Sequence, residues 1–221
     1  VCSSDLHMTT AKAVLINNAQ QYPFSGGSAD LTRIHQGWGW PSLRNIYDRR
    51  ERMLIIDESE VLQELQSVTY ALNVEAGEPE FKATLVYADP PGSPSAAMAR
   101  INDLTLRVTD PSGQVYWGNH GLLTGNYSTP GGTANTVDTV ENVFVQNPAG
   151  GLWVVEVIAD EINEDSHPES PEVDADFALV VSGVTPCSSA GTARLGRSLY
   201  ACESTAEVRV LDCDLNQDPE A

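Results

Sequence analysis

The stretch Gln66-Ser67-Val68-Thr69-Tyr70-Ala71-Leu72-Asn73-Val74 alternates polar and apolar residues. Glu80-Phe81-Lys82-Ala83-Thr84-Leu85-Val86-Tyr87 does the same after a Gly77-Glu78-Pro79 turn. A period of two sends successive side chains to opposite faces of a strand, whereas a helix face recurs every ~3.6 residues. Two such runs around a turn predict antiparallel strands with one face buried. Working outward, Met53 to Ile56, Leu104 to Val108, Gln114 to Trp117, Asn142 to Val145, Leu152 to Ala159 and Ala175 to Val181 read as further strands. Asp110-Pro111-Ser112-Gly113 and Asn147-Pro148-Ala149-Gly150-Gly151 between them carry β-turn chemistry. Short strands separated by turns, with no helix between them, predict a mainly β chain: an antiparallel jelly roll or β-sandwich over residues 51–183.

Upstream the period is helical. Residues 9 to 19 predict a short helix capped by Thr9 or Thr10, with Ala11, Val14 and Leu15 on one face. It runs into the turn Tyr22-Pro23-Phe24-Ser25-Gly26-Gly27. A glycine-aromatic loop, His35-Gln36-Gly37-Trp38-Gly39-Trp40-Pro41, precedes a one-turn helix around Leu43 to Tyr47. Residues 1–50 thus offer helices and bulky aromatics but no core of their own. Downstream, Thr185-Pro186-Cys187-Ser188-Ser189-Ala190-Gly191 reads as a linker. Within 184–221, Thr192 to Leu195 and Ala206 to Leu211 read as two strands of a further, incomplete β-module.

Composition narrows the partners. The chain has 221 residues, 41% of them hydrophobic, which is enough for a sizeable core. Thirty-one acidic residues against 12 basic ones give a formal charge of -19. That balance argues against nucleic acid, whose binding needs clustered cations, and against an anionic membrane surface. No apolar run is long enough to span a bilayer. The N-terminus has no basic stretch leading into an apolar one, as a secretory signal would. Val1-Cys2-Ser3-Ser4-Asp5-Leu6 is expected to be foreign to the gene, because one frame of a common sequencing adapter encodes Cys-Ser-Ser-Asp-Leu. Of four cysteines, Cys187, Cys202 and Cys213 cluster near the C-terminus. Their odd number predicts one bridge and one unmatched thiol, and their spacing is not that of a zinc ribbon. Such clustering leans towards an oxidising, extracellular setting, so the chain is expected to be secreted.

Several motifs, in order, resemble the subtilisin-like serine proteases, specifically bacterial subtilases that carry a C-terminal jelly roll. Thr10 to Ala19 is similar to the helix that follows the nucleophile's helix. His35-Gln36-Gly37-Trp38-Gly39 resembles the Asn-Gln-Gly-Trp-Gly loop that ends their catalytic domain. Leu85-Val86-Tyr87-Ala88-Asp89-Pro90-Pro91, Ile101-Asn102-Asp103-Leu104-Thr105-Leu106 and Val140-Glu141-Asn142-Val143-Phe144-Val145 resemble three motifs of the jelly roll. The resemblance spans residues 9 to 183 and implies a catalytic-domain remnant over 1–50 fused to an accessory sandwich. The missing catalytic domain is then the partner, and protein substrates are reached through it. The family's Asp-Thr-Gly, His-Gly-Thr and Gly-Thr-Ser-Met-Ala motifs are not in this sequence. No catalytic residue is carried over, and His7, His35, His120 and His167 have no nucleophile elbow near them. This chain alone is expected not to cut peptide bonds, although its parent would.

The remaining chemistry is a cation site. Asp89, Asn102 and Asp103 lie at predicted strand ends, as do Asp138, Glu141 and Asn142. Calcium takes six to eight oxygens from such groups. The resemblance implies calcium in this domain too. The competing account is turn chemistry, in which Asn-Asp and Asp-Pro cap backbone amides. Residues 160–176, acidic with no Lys or Arg, read as a solvated hairpin loop or as a second calcium loop. Trp38, Trp40, Trp117 and Trp153 suit core or interface packing, with sugar stacking as the rival use. The alternative function is therefore an independent calcium- or carbohydrate-binding β-sandwich module.

Overall fold

The structure is a computed structural model that describes residues 6–22, 33–93, 95–96, 98–169 and 171–185, with the backbone of Thr192–Leu195 and Val208–Leu211. Expectations for Val1 to Asp5, the turn Pro23 to Gly27, most of the linker, and Cys2, Cys187, Cys202 and Cys213 fall outside the described residues. The chain divides into two compact units, Val1–Thr185 and Pro186–Ala221.

The first unit contains all eight predicted strands: β1 (Met53–Leu62), β2 (Ser67–Val74), β3 (Glu80–Val86), β4 (Asp103–Thr109), β5 (Val115–Trp117), β6 (Val140–Gln146), β7 (Gly151–Glu161) and β8 (Ala175–Ser182). They form two four-stranded sheets, ordered β1-β8-β3-β6 and β2-β7-β4-β5, with every pairing antiparallel. Packed face to face, they make the β-sandwich, with the winding order of a jelly roll. In the second unit, Thr192–Leu195 (β9) pairs antiparallel with Val208–Leu211 (β10).

Alternation decides what enters the core. Trp153, Val155, Val157 and Ala159 of β7 point in, while Leu152 is exposed. Opposite them lie Phe81, Ala83 and Leu85 of β3 and Phe177, Leu179 and Val181 of β8. Trp153 stacks on Phe81 with ring centroids 4.6 Å apart, so this tryptophan packs in the core as expected. Behind β8, Gly183 turns with φ +80°, and a Cβ there would overlap the Glu80 carbonyl oxygen.

The first sheet is covered over part of its outer face as well. Helix α1 (Met8–Asn17) lies across β8, β3 and β1 and covers Met53, Val86, Ala178 and Val180. Two expectations for this helix are corrected. Its N-cap is His7, and the Thr9 and Thr10 hydroxyls donate to Glu58 and Asp57 of β1 instead of capping. Its most buried residues are Thr9, Thr10, Ala13 and Asn17, while Leu15 is exposed. The sheet face it meets is partly polar, presenting Thr84 and the carbonyl oxygens of Lys82 and Val180, so a polar helix face fits it better. Asn17 donates through Nδ2 to the Lys82 and Val180 carbonyl oxygens and to Thr84 Oγ1, at 3.1, 3.0 and 3.1 Å.

The segment after α1 also differs in detail. His35-Gln36 ends a single helical turn, α2 (Arg33–Gln36), where a loop was expected. Gln20 and Trp40 exchange backbone hydrogen bonds at 2.9 Å, and Gly39 at φ +98° lets the two segments meet. Helix α3 (Leu43–Arg49) is capped by Ser42, whose side chain accepts from the Asn45 amide. Strand β1 runs six residues past its predicted end at Ile56, through an irregularity between Asp57 and Val61 with Glu58 at φ +53°. Among the described residues no helix is long and apolar enough to cross a membrane.

Candidate functional site

At one end of the sandwich, Tyr87 follows β3 and turns its hydroxyl inward. It donates to the Asn102 carbonyl oxygen at 3.2 Å and to that of Asp138 at 3.4 Å, tying two of the predicted site segments together. Asp89 accepts from the Ile101 and Asn102 amides at 2.9 and 2.8 Å. Buried Asn102 accepts from the Asn163 and Glu164 amides and donates to the Glu164 carbonyl oxygen, pinning the acidic loop after β7. That loop is also closed on itself, as the Ser166 amide donates to the Asp174 carbonyl oxygen at 2.9 Å. Both Asp89 and Asn102 therefore act as backbone caps in this structure.

Asp103 and Glu141 are different. Asp103 is 3% exposed and its Oδ2 lies 3.6 Å from Arg100, while Oδ1 is buried without a hydrogen-bond partner among the described residues. Burial pushes its carboxyl up, against the pull of Arg100 and with Asp160 and Glu161 adding to the rise. Glu141 is wholly buried. Its Oε2 accepts from the Leu106 amide of the opposite sheet at 2.8 Å, and its Oε1 has no hydrogen-bond partner among the described residues. Strand β5 is only three residues long, and the Glu141 carboxylate receives the β4 amide that lies beyond it. Burial raises the Glu141 carboxyl well above the usual carboxylate range.

The other two candidates face elsewhere. Asp138 is exposed and accepts from the side chains of Asn119 and Asn135 at 3.3 and 2.7 Å. Asn142 accepts from Thr84 Oγ1 at 2.8 Å, and through Thr84 it joins the Asn17 contact on the outer face of the sheet. Among the described residues, no three His, Cys, Asp or Glu side chains gather closely enough to hold a metal ion.

Sequence reasoning passed over Asn119. Its backbone sits at φ +62°, and its side chain accepts from the Asn142 amide and donates to the Val140 carbonyl oxygen. The signal was the Gly118-Asn119 pair, since Asn tolerates the left-handed region better than most residues. Beside it opens a cleft of about 530 Å³, walled by Trp38, Leu122 and Leu123 on its apolar side and by Asn119, Asn135 and Asp138 on its polar side.

No protein-family model matches this chain, and no curated protein matches it. Among solved structures, the crystal structure of Bacillus licheniformis lipase BlEst2 in its propeptide form is similar over 62% of this chain, at 17% identity and a TM-score of 0.32. The likeness is distant. It covers 22% of that lipase chain, and no functional residue is carried over from it.

Proposed function

We propose that this chain is the rear part of a secreted subtilisin-like serine protease, in which the β-sandwich is a stabilising accessory domain behind a remnant of the catalytic domain. The ordered motifs from Thr10 to Val145 support the reading. The observation that carries it furthest is the seam around Asn17. A helix held by three buried side-chain hydrogen bonds to β3 and β8 is a specific joint, of the kind that fixes a sandwich rigidly to whatever precedes the helix. In the parent enzyme a triad would act through an acyl-enzyme, and the sandwich would slow unfolding outside the cell. Coexpression of the full chain with an intact subtilase core should yield a stable complex that resists heat longer than the core alone. No association in a pull-down would count against the reading.

Calcium belongs to the same proposal. The Asp103 and Glu141 oxygens that have no hydrogen-bond partner among the described residues are hard donors near other acidic groups, and a cation would offset their repulsion. Titration with millimolar calcium should raise the melting temperature, and a flat response would remove calcium from the account. The rival reading, a sugar-binding module, draws on the cleft beside Trp38. Saturable glycan-array binding by the full chain, without association with a subtilase core, would favour it.

A further inference from the structure

The seam between the N-terminal helices and the first sheet carries more positive charge than its packing requires. Arg49 of α3 and Lys82 of β3 converge on one carboxylate, Glu80, at 2.6 and 3.0 Å. The Tyr127 hydroxyl donates to the other Glu80 oxygen at 3.0 Å. Burial pushes the Glu80 carboxyl up, but Lys82 and Arg49 outweigh it and hold the group down at about 2. Arg33 of α2 completes the group. Its guanidinium lies over the Phe144 ring at 4.4 Å and donates through Nε and Nη2 to the Asn126 carbonyl oxygen at 3.2 and 2.9 Å. Two cations thus share one carboxylate, with a third, Arg33, close enough to feel its charge, in a chain whose formal charge is -19.

The excess has consequences. Lys82 is 6% exposed, and burial pushes its ammonium down. Glu80 opposes that shift, while Arg49 and Arg33 add to it by repulsion. Arg49 Nη1 is buried with no hydrogen-bond partner among the described residues. A polar cleft of about 240 Å³ opens on the cluster, lined by Arg33, Lys82, Gln20, Gln21, Asn45 and Asn126 among others. Its volume is below the ~300 Å³ at which drug-sized pockets begin, so it has room for a small ion or the end of a larger ligand.

We propose that this cleft binds a small oxyanion, a carboxylate or a tetrahedral inorganic anion such as sulfate, between Arg33 and Lys82. The guanidinium edge of Arg33 that is not turned to Asn126 and the Lys82 ammonium together match an oxyanion's several acceptors, and partial burial strengthens each contact. Glu80 is no obstacle, because its two oxygens are taken by Arg49, Lys82 and Tyr127. The seam's surplus charge would then be neutralised by the ligand.

Calorimetric titration of the full chain tests this, with sodium sulfate in one arm and sodium acetate in the other, sodium chloride holding ionic strength constant. Saturable binding is expected, weakened about tenfold or more by Arg33→Gln, since a charge-assisted hydrogen bond carries that much. Arg107→Gln, on the other sheet where Arg107 pairs with Glu156, should bind as the native chain does. Stronger binding of sulfate identifies a tetrahedral anion as the ligand, and stronger binding of acetate a carboxylate. If Arg33→Gln fails to fold, Arg33→Lys keeps the charge but loses the fork and should still bind more weakly. Absence of saturable binding in both arms, or native affinity in the folded Arg33 variant, overturns the site. The protease reading would survive that result, because its test is association with a catalytic core.

Discussion

At Asn17 a single carboxamide anchors a helix for which the sequence pattern predicts an apolar face. Its Nδ2 reaches two strands and Thr84 at once, in a place closed to water. Asn17→Ala should therefore cost about 2–4 kcal/mol, because it strips partners from buried acceptors and opens a small void. Urea unfolding measures this, and a loss near zero would mean water replaces the amide. Asp176 offers a pH-dependent test. Burial, reinforced by Glu58, pushes its carboxyl up to about 6, above its unfolded value near 3.8. The folded chain then holds a proton that the unfolded chain releases, so this contribution to stability is full below pH ~4 and is lost as pH rises to ~6. Asp176→Asn should flatten that part of the melting-temperature profile, and an unchanged slope would assign it to other carboxyls. At this scale the sequence was partly legible. The Asn-Asp and Asp-Pro pairs signalled turn chemistry, and Asp89 and Asn102 do cap backbone amides. The partnership of Glu141 with Leu106 was not legible, because it joins residues 35 apart on opposite sheets.

At the scale of elements, β3 and β8 show what the alternating pattern leaves out. Alternation predicts one buried face, yet β3 is buried at every position after Glu80 because α1 covers its outer side. Lys82 and Thr84 look like solvent-facing residues in the sequence and instead are buried, Lys82 against Glu80 and Phe144 and Thr84 against Asn17 of the helix. The close approach of α1 depends on Ala13, which is fully buried against Met53, Val86, Ala178 and Val180. Ala13→Leu should overpack this layer and cost about 1–3 kcal/mol in thermal unfolding. Native stability in that variant would mean the helix can ride outward without loss. The extension of β1 past Ile56 was hidden for a related reason. Asp57 and Glu58 break the apolar rhythm because they face His7, Thr9 and Thr10 of the helix terminus rather than a sheet neighbour.

For the whole molecule, the first fifty residues and the sandwich lie in one compact unit. Removal of residues 1–50 should uncover Met53, Val86, Ala178 and Val180, giving a sandwich that binds a hydrophobic dye and melts earlier. A truncated chain with native melting and no dye binding would show the helical layer to be dispensable. Eight strands, their turns and their inward faces were readable directly from the sequence, since strand geometry imposes its period of two on local order. Strand order, the covering of the first sheet by α1 and the gathering of three cations around Glu80 were decided only by tertiary structure. They rest on contacts between residues far apart in the chain, and no local periodicity records which distant group a polar side chain will meet.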